Sequence, residues 1–308
     1  MLGFMFSNHA GINITETKLQ LVEICFKENS FFLENVDQVI HKEPFSNLFT
    51  REKFMSALQE SFDKATKRKP LNSQNISFTL PNNFFKIFEV PYEDSLVKKD
   101  LHEHFRWELS ILFPDVHAEN YLIQHIEVDK SRYRKEKSAI VFGIDKELVN
   151  SINKFCLSNN LVLKYIDNVH LASNAFLYME KPRPESEIAL SLYIDQKYSS
   201  ISAIDGVSPF FFKVLNPNTQ NIFDELTHAV NSLEEFNIRL KDFMRVLLYG
   251  QDVAEEFENK LRNFFGLPLK KINPFEYLKP GNEVAANPFY KLKSNSFSAA
   301  TGIAIRII

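Results

Sequence analysis

Eight histidines and two cysteines are the side chains of this 308-residue sequence best suited to metal binding or nucleophilic attack. A helical metal site needs ligands that converge on one face, as in His-x-x-x-His or His-Glu-x-x-His, and neither pattern occurs. His102 and His104 are two apart and so point to different sides of a helix, while His117, His125 and His170 stand singly. Cys25 and Cys156 form no Cys-x-x-Cys pair, which fits a reducing compartment and argues against a zinc site or a disulfide framework. Cys156 sits beside the apolar face of a helix with no evident base, so a packed thiol is expected rather than a nucleophile. No Gly-x-Ser-x-Gly elbow, Walker loop or dinucleotide fingerprint is present, and Glu234-Glu235 and Glu255-Glu256 belong on wet helix faces. Neither a catalytic residue nor a metal site is expected.

The charge balance excludes a further class. With 36 basic against 39 acidic side chains and a net charge of -3, there is no electrostatic footprint for nucleic acid. Hydrophobic residues at 44% and charged residues at 24% describe a soluble globular chain with ample core. No apolar run reaches the roughly 18 residues of a membrane span, and the stretch from Met1 to Phe6 lacks the basic region and cleavage site of a signal peptide. A cytoplasmic location is the expectation. Thirty phenylalanines against eight glycines mark the composition. Phe31-Phe32, Phe84-Phe85, Phe264-Phe265 and Phe210-Phe211-Phe212 cannot all face one way on a strand, so most are expected in the core and some along a groove for an apolar partner.

The elements that must position these residues follow from periodicity. Strands are expected at 11–14, 18–27 and 31–40, then a helix capped by Thr50 with Phe54, Leu58, Phe62 and Ala65 on one face. Strands at 76–80 and 84–91 lead to an amphipathic helix over 95–112, carrying Val97, Leu101, Phe105, Leu109 and Leu112. Strands at 121–128 and 139–144, a helix capped by Asp145, a strand at 161–166 and a helix over 168–179 complete the first half. Lys181-Pro-Arg-Pro184 reads as a hinge, since two prolines preclude helix. Strands at 188–195, 199–205 and 208–215, a helix over 222–240, a strand at 245–249, a helix over 253–265, a strand at 267–272 and an apolar helix over 297–307 follow. Both halves open with a three-strand meander and a helix, which indicates a duplicated α/β unit. The expected division is 1–82 plus 167–183 for one subdomain, 83–166 for an α+β insertion, and 184–308 for the second subdomain.

Several segments, in this order, resemble the type IV pilus assembly protein PilM family, a branch of the actin-like ATPases related to FtsA. Gly11-Ile-Asn-Ile-Thr-Glu-Thr-Lys-Leu-Gln-Leu-Val-Glu-Ile24 is similar to the family's opening phosphate hairpin. Ser77-Phe-Thr-Leu-Pro81 with Phe88-Glu-Val-Pro91, and Trp107-Glu-Leu-Ser-Ile-Leu-Phe-Pro114, look like its paired strand-to-proline segments and its inserted helix. Val141-Phe-Gly-Ile-Asp-Lys-Glu-Leu-Val149, Tyr165-Ile-Asp-Asn168 and Ala300-Thr-Gly-Ile-Ala-Ile-Arg306 match the end of the insertion and the last helix. The resemblance implies an actin-like (ribonuclease H-like) α/β fold of duplicated domains, with a small α+β insertion and a reduced or missing upper subdomain in the second half. Only about 30 residues, 216–245, stand where the family places that subdomain.

Actin-like ATPases hold phosphates between two β-hairpins, using backbone N–H groups freed by glycines and an aspartate that orients metal-bound water. Against that pattern this sequence has Asn13 for the aspartate, Thr15 for the glycine and Gln20 for a lysine in the first hairpin. In the second, Tyr193 falls at the aspartate and Asp195 at the glycine; a one-residue shift makes Asp195 the acid but leaves no glycine after it. The adenine-side loop keeps only Gly250. Gly11, Asn13, Thr15, Asp195, Gly250 and Gly302 therefore read as a vestigial nucleotide site in a pseudo-ATPase that binds no cofactor. The resemblance further implies a scaffold, cytoplasmic and peripheral to the inner membrane, that holds the cytoplasmic tail of a single-pass PilN-like membrane protein. A pilus ATPase and platform proteins are further expected partners. The tail groove is expected along 76–91 and 95–112, with Phe84, Phe85, Phe88 and Phe105 as contacts. Two other readings stand beside it: an active protein binding ATP and Mg²⁺, and a GspL-like cytoplasmic domain of a secretion system.

Overall fold

A computed structural model describes residues 8–306 except 45–49, 94, 132, 180–186, 196, 217–220, 251–252 and 293. The hinge at 181–184 lies outside the described residues. The chain opens with β1 (His9–Ile14), β2 (Lys18–Lys27) and β3 (Ser30–Ile40), the last two joined through Glu28 and Asn29 at φ 51° and 57°. Helix α1 (Arg51–Arg68) starts where the Thr50 hydroxyl accepts the Lys53 N–H, and it buries Phe54, Leu58, Phe62 and Ala65 against the sheet. Next come β4 (Asn75–Leu80), β5 (Phe85–Pro91), α2 (Lys98–Leu112), β6 (Tyr121–Val128), β7 (Ser138–Asp145), α3 (Lys146–Ser158), β8 (Val162–Asn168) and α4 (Val169–Ser173). The second half holds β9 (Ile188–Ile194), β10 (Ser200–Asp205), β11 (Ser208–Val214), α5 (Ile222–Ser232), β12 (Arg245–Gly250), α6 (Glu255–Phe265), β13 (Leu269–Lys271), β14 (Leu278–Pro280), α7 (Pro288–Lys291) and α8 (Ser298–Ala304).

Among the described residues these strands form three sheets: β14-β3-β2-β1-β4-β8, β11-β10-β9-β12-β13 and β5-β7-β6. The two large sheets share one plan. In each an antiparallel meander is extended by strands parallel to its central-edge member, β4 and β8 beside β1, and β12 and β13 beside β9. The small sheet carries α2 on one face, where Leu101, Phe105 and Leu109 meet Val90, Ile123, Ala139 and Val141. Its other face lies against β11, so Phe142 and Phe212 meet edge-on at 5.4 Å. This explains the phenylalanine triplet: β11 is covered on both sides, Phe210 stacking on Tyr133 and Phe211 packing against Phe236.

Three expectations are corrected. Val97 and Leu112 are exposed, because Val97 is the N-cap residue outside α2 and Leu112 is its last residue. The helix expected over 222–240 stops at Ser232 and continues as short 3-10 turns, with Asn237 in the left-handed conformation at φ 56°. The 168–179 helix likewise tightens into a 3-10 turn over Asn174–Tyr178. Strand β14 pairs with β3, and α8 packs on β1, β2 and β4.

Candidate functional site at the hairpin seam

The two meanders bring their first turns together at the junction of the halves. Asn13 is the next-to-last residue of β1 and Tyr193 the next-to-last of β9, so the two occupy matching places in the duplicated plan. Both are buried, at 0% and 1% exposure, and the Tyr193 hydroxyl shares a hydrogen bond with the Asn13 side chain. Burial, then the neighbouring Asp195 carboxylate, push the Tyr193 phenol well above its ordinary range, so it stays a neutral hydroxyl.

Asn13 is held on its other side as well. Its Nδ2 donates to Gln20 Oε1 at 3.0 Å, and its Oδ1 accepts from Thr79 Oγ1 at 3.0 Å. Gln20 Nε2 donates onward to Gln38 Oε1 at 3.0 Å and to Ser296 Oγ at 2.9 Å, which ties the hairpin to the segment before α8. The turn that follows closes on Thr15, whose Oγ1 donates to the Lys18 carbonyl and accepts the Lys18 N–H. In the second hairpin the Asp195 N–H donates to Ser199 Oγ at 3.0 Å, and Ser199 Oγ returns a bond to the Asp195 carbonyl. Lys197 Nζ reaches Glu16 Oε1 at 2.9 Å, so the tips of the two hairpins are joined by an ion pair.

A second buried network lies beneath. His170 contacts Ser200 Oγ at 2.8 Å through Nδ1 and Ser191 Oγ at 2.7 Å through Nε2, and Ser191 donates to Asn174 Oδ1. Asn168 Nδ2 donates to Asn82 Oδ1, and Asn82 Nδ2 donates to Ser200 Oγ. Burial pushes the His170 imidazole down to about 3, so it is a neutral donor and acceptor with both ring nitrogens engaged by serine hydroxyls. Among the described residues no group of three or more His, Cys, Asp or Glu side chains is placed to hold a metal ion. Burial also pushes the Cys156 thiol up to about 12, which leaves it inert within the first-half core.

The glycines of the expected site are present at the same seam, where their hydrogen lets backbones touch. A methyl group on Gly302 would lie 2.0 Å from the Ala172 carbonyl oxygen, and one on Gly11 would lie 2.2 Å from that of Ala300. Gly250, at φ 101°, leaves no room beside the Ile194 backbone, and its N–H donates to Ser298 Oγ at 3.3 Å. Gly11 and Gly250 lie against α8, which holds Gly302, while Asn13 meets Tyr193 and Thr15 and Asp195 close the turns of the two hairpins. The structure also brings in Tyr193 and Ser296. The role of Ser296 carries no sequence signal, because it depends on a contact with Gln20 made 276 residues away.

The residues expected to touch a partner divide. Phe84 is half-buried against Phe54, Phe85 against Phe142, and Phe88 against Phe113. Phe105 is at 0% exposure in the core under α2 and so presents no surface to a partner, a correction to the expected contact set. Trp107 and Ile111, each 58% exposed, stand four residues apart on the outer side of α2. Their signal was available, since both lie off the Leu101–Phe105–Leu109 stripe.

No protein-family profile and no curated protein matches the chain. Among solved structures, a chain of a PilM–PilN type IV pilus biogenesis complex aligns with a TM-score of 0.69 and 18% identity, over 97% of this chain and 98% of that one. A Bacteroides thetaiotaomicron protein with an actin-like ATPase fold aligns with a TM-score of 0.51 and 11% identity, over 95% and 98%. The chain thus has an actin-like ATPase fold of the PilM-like kind.

Proposed function

We propose that this chain is a non-catalytic scaffold of a type IV pilus or related secretion machine. It works at the cytoplasmic face of the inner membrane, where it holds the cytoplasmic tail of a PilN-like membrane protein. One observation carries the loss of nucleotide chemistry: Tyr193 and Asn13 share a hydrogen bond across the seam where an actin-like ATPase would place phosphate. An amide has replaced the metal-orienting carboxylate, and a phenol stands in the second hairpin's matching place. The Glu16–Lys197 pair holds the hairpin tips together in front of them. The partner is supported by the full-length alignment with a PilM–PilN complex, in which PilM is paired with PilN. The tail is assigned to the junction of the first half and the insertion, touching the partly exposed rims of Phe84, Phe85 and Phe88, with Phe105 in the core cluster against which Phe88 packs.

Calorimetric titration with ATP and Mg²⁺, at protein concentrations that detect high-micromolar affinity, tests the first part. Silence is expected, whereas binding would overturn the pseudo-ATPase reading and restore the ATP-binding alternative. For the second part, a synthetic peptide of the cytoplasmic tail of the PilN-like protein encoded beside this chain is expected to raise the melting temperature. A peptide lacking its first residues that stabilises equally well would sink the proposed groove.

A further inference from the structure

The hairpin of the insertion that joins β6 to β7 arches over the second half, and a cavity of about 650 Å³ lies between them. Its floor is aromatic, made by Phe211, Phe212 and Phe236. Its most unusual wall residue is Arg134, which is 5% exposed although it stands in a hairpin rich in charge. The guanidinium lies over the Phe236 ring, 4.1 Å from its centroid. Nη2 donates to Ser138 Oγ at 2.5 Å and is paired with Glu89. Nη1 is buried and has no hydrogen-bond partner among the described residues.

An unmet N–H on a buried cation is more costly than an unmet amide, because the lost solvation is that of a charge. Nη1 and Nη2 are the two arms of one planar fork, whose natural complement is a carboxylate. Glu89 engages one arm and also accepts from Ser138 Oγ at 3.0 Å. A second cation lines the same cavity: Lys213 Nζ, which donates to Ser232 Oγ at 3.1 Å. The charges lining the cavity are Arg134, Lys135 and Lys213 against Glu89, Glu136 and Glu235, and Lys135, Glu136 and Glu235 are exposed at its rim. A polyanion would meet the rim carboxylates. A single negative charge carried on an apolar body meets the unmet N–H and Lys213 within and the phenylalanine rings beneath.

We propose that this cavity is a binding site for an aromatic or apolar carboxylate, with the carboxylate on Arg134 Nη1 and Lys213 and the ring on Phe211, Phe212 and Phe236. The free carboxylate of a peptide ending in phenylalanine and a small aryl acid share this chemistry, so both are tested. Because one wall comes from the insertion and the other from the second half, an occupant bridges the two.

The test uses the full chain and two pairs of probes: 3-phenylpropionate with its amide, and N-acetyl-Ala-Ala-Phe with its C-terminal amide. Each is titrated by ¹H–¹⁵N NMR. The acids are expected to bind at least about tenfold more tightly than the amides, the size of one charged hydrogen bond. Shifts should cluster at 133–138 and 211–213. Binding of both acids indicates that the aryl carboxylate suffices, and binding of the peptide alone assigns the site to a chain terminus. Lys213→Gln, at a half-buried position, should fold as wild type and weaken the acids by about tenfold without changing the amides. Arg134→Lys, which keeps the charge opposite Glu89, should do the same or more. Acids and amides that bind equally, a failure of both acids to bind, or shifts confined to another surface would overturn the proposal.

Discussion

The two places where the halves of this molecule meet are built on opposite principles. At the hairpin seam Asn13, Gln20, Thr79 and Ser296 satisfy one another in a closed relay, and backbones approach until only glycine fits at positions 11, 250 and 302. At the junction of the insertion with β11 a cavity of about 650 Å³ remains, and a buried guanidinium keeps one arm unmet. Buried polar groups are ordinarily paired, and an unmet N–H is costliest on a buried cation such as Arg134. The contrast runs against the expectation from the sequence, which put the nucleotide site at the seam and nothing at this cavity.

Breaking the seam should be costly, and the largest effect is expected at Gly302. Alanine there would drive a methyl group to 2.0 Å from the Ala172 carbonyl oxygen, between two backbones that cannot give. A loss of about 3 kcal/mol or more in urea-denaturation stability is expected, against a change within about 0.5 kcal/mol for Glu235→Gln at the open cavity. Comparable losses at both would erase the contrast.

Acid should weaken the seam next. His170 is pushed down to about 3 and His9, bonded to the Ala304 carbonyl and Ser77, to about 4, both by burial. The unfolded chain therefore binds more protons below about pH 6.5, and stability falls from there until the folded values are reached. Buried Glu23, raised by desolvation, acts in the opposite sense, since the folded state keeps its proton to higher pH. At pH 5.5 the two histidines should together remove about 2–3 kcal/mol relative to pH 7. Denaturation at both values checks this, and His170→Gln should lower the slope by about half.

The smallest change sharpens the comparison most. Tyr193→Phe keeps the ring and deletes the hydroxyl shared with Asn13, at an expected cost of about 1 kcal/mol by thermal melting. The variant should remain silent toward ATP and Mg²⁺, since Asn13 still supplies no charge. A gain of nucleotide affinity would show that the phenol alone had closed the site.

Helices α1 and α2 were legible because their burial is one-sided, and a helix with one wet face writes its period into the sequence. The meander strands, with β1 and β9 buried on both faces, were legible as short segments bounded by turns. The ends of α4 and α5 were not, since periodicity persists through 3-10 turns and Asn237 gives little warning of a left-handed turn. The grouping of Asn13, Thr15, Asp195 and Gly250 came from resemblance to a known pattern and not from periodicity or composition. Phe105 misled because an aromatic on an amphipathic face looks the same whether the face meets a core or a partner.

The sequence by itself determined the duplicated α/β plan and the balance of charge that disfavours nucleic acid. Those depend on residue type and local spacing. Only the tertiary structure decided that Tyr193 reaches Asn13, that Lys197 meets Glu16, that α8 crosses back to β1, and that Arg134 is buried with an arm unmet. Each of these joins residues far apart in the chain, where hydrogen bonding, burial and close approach are set by how the sheets come together and leave no trace in the neighbouring sequence.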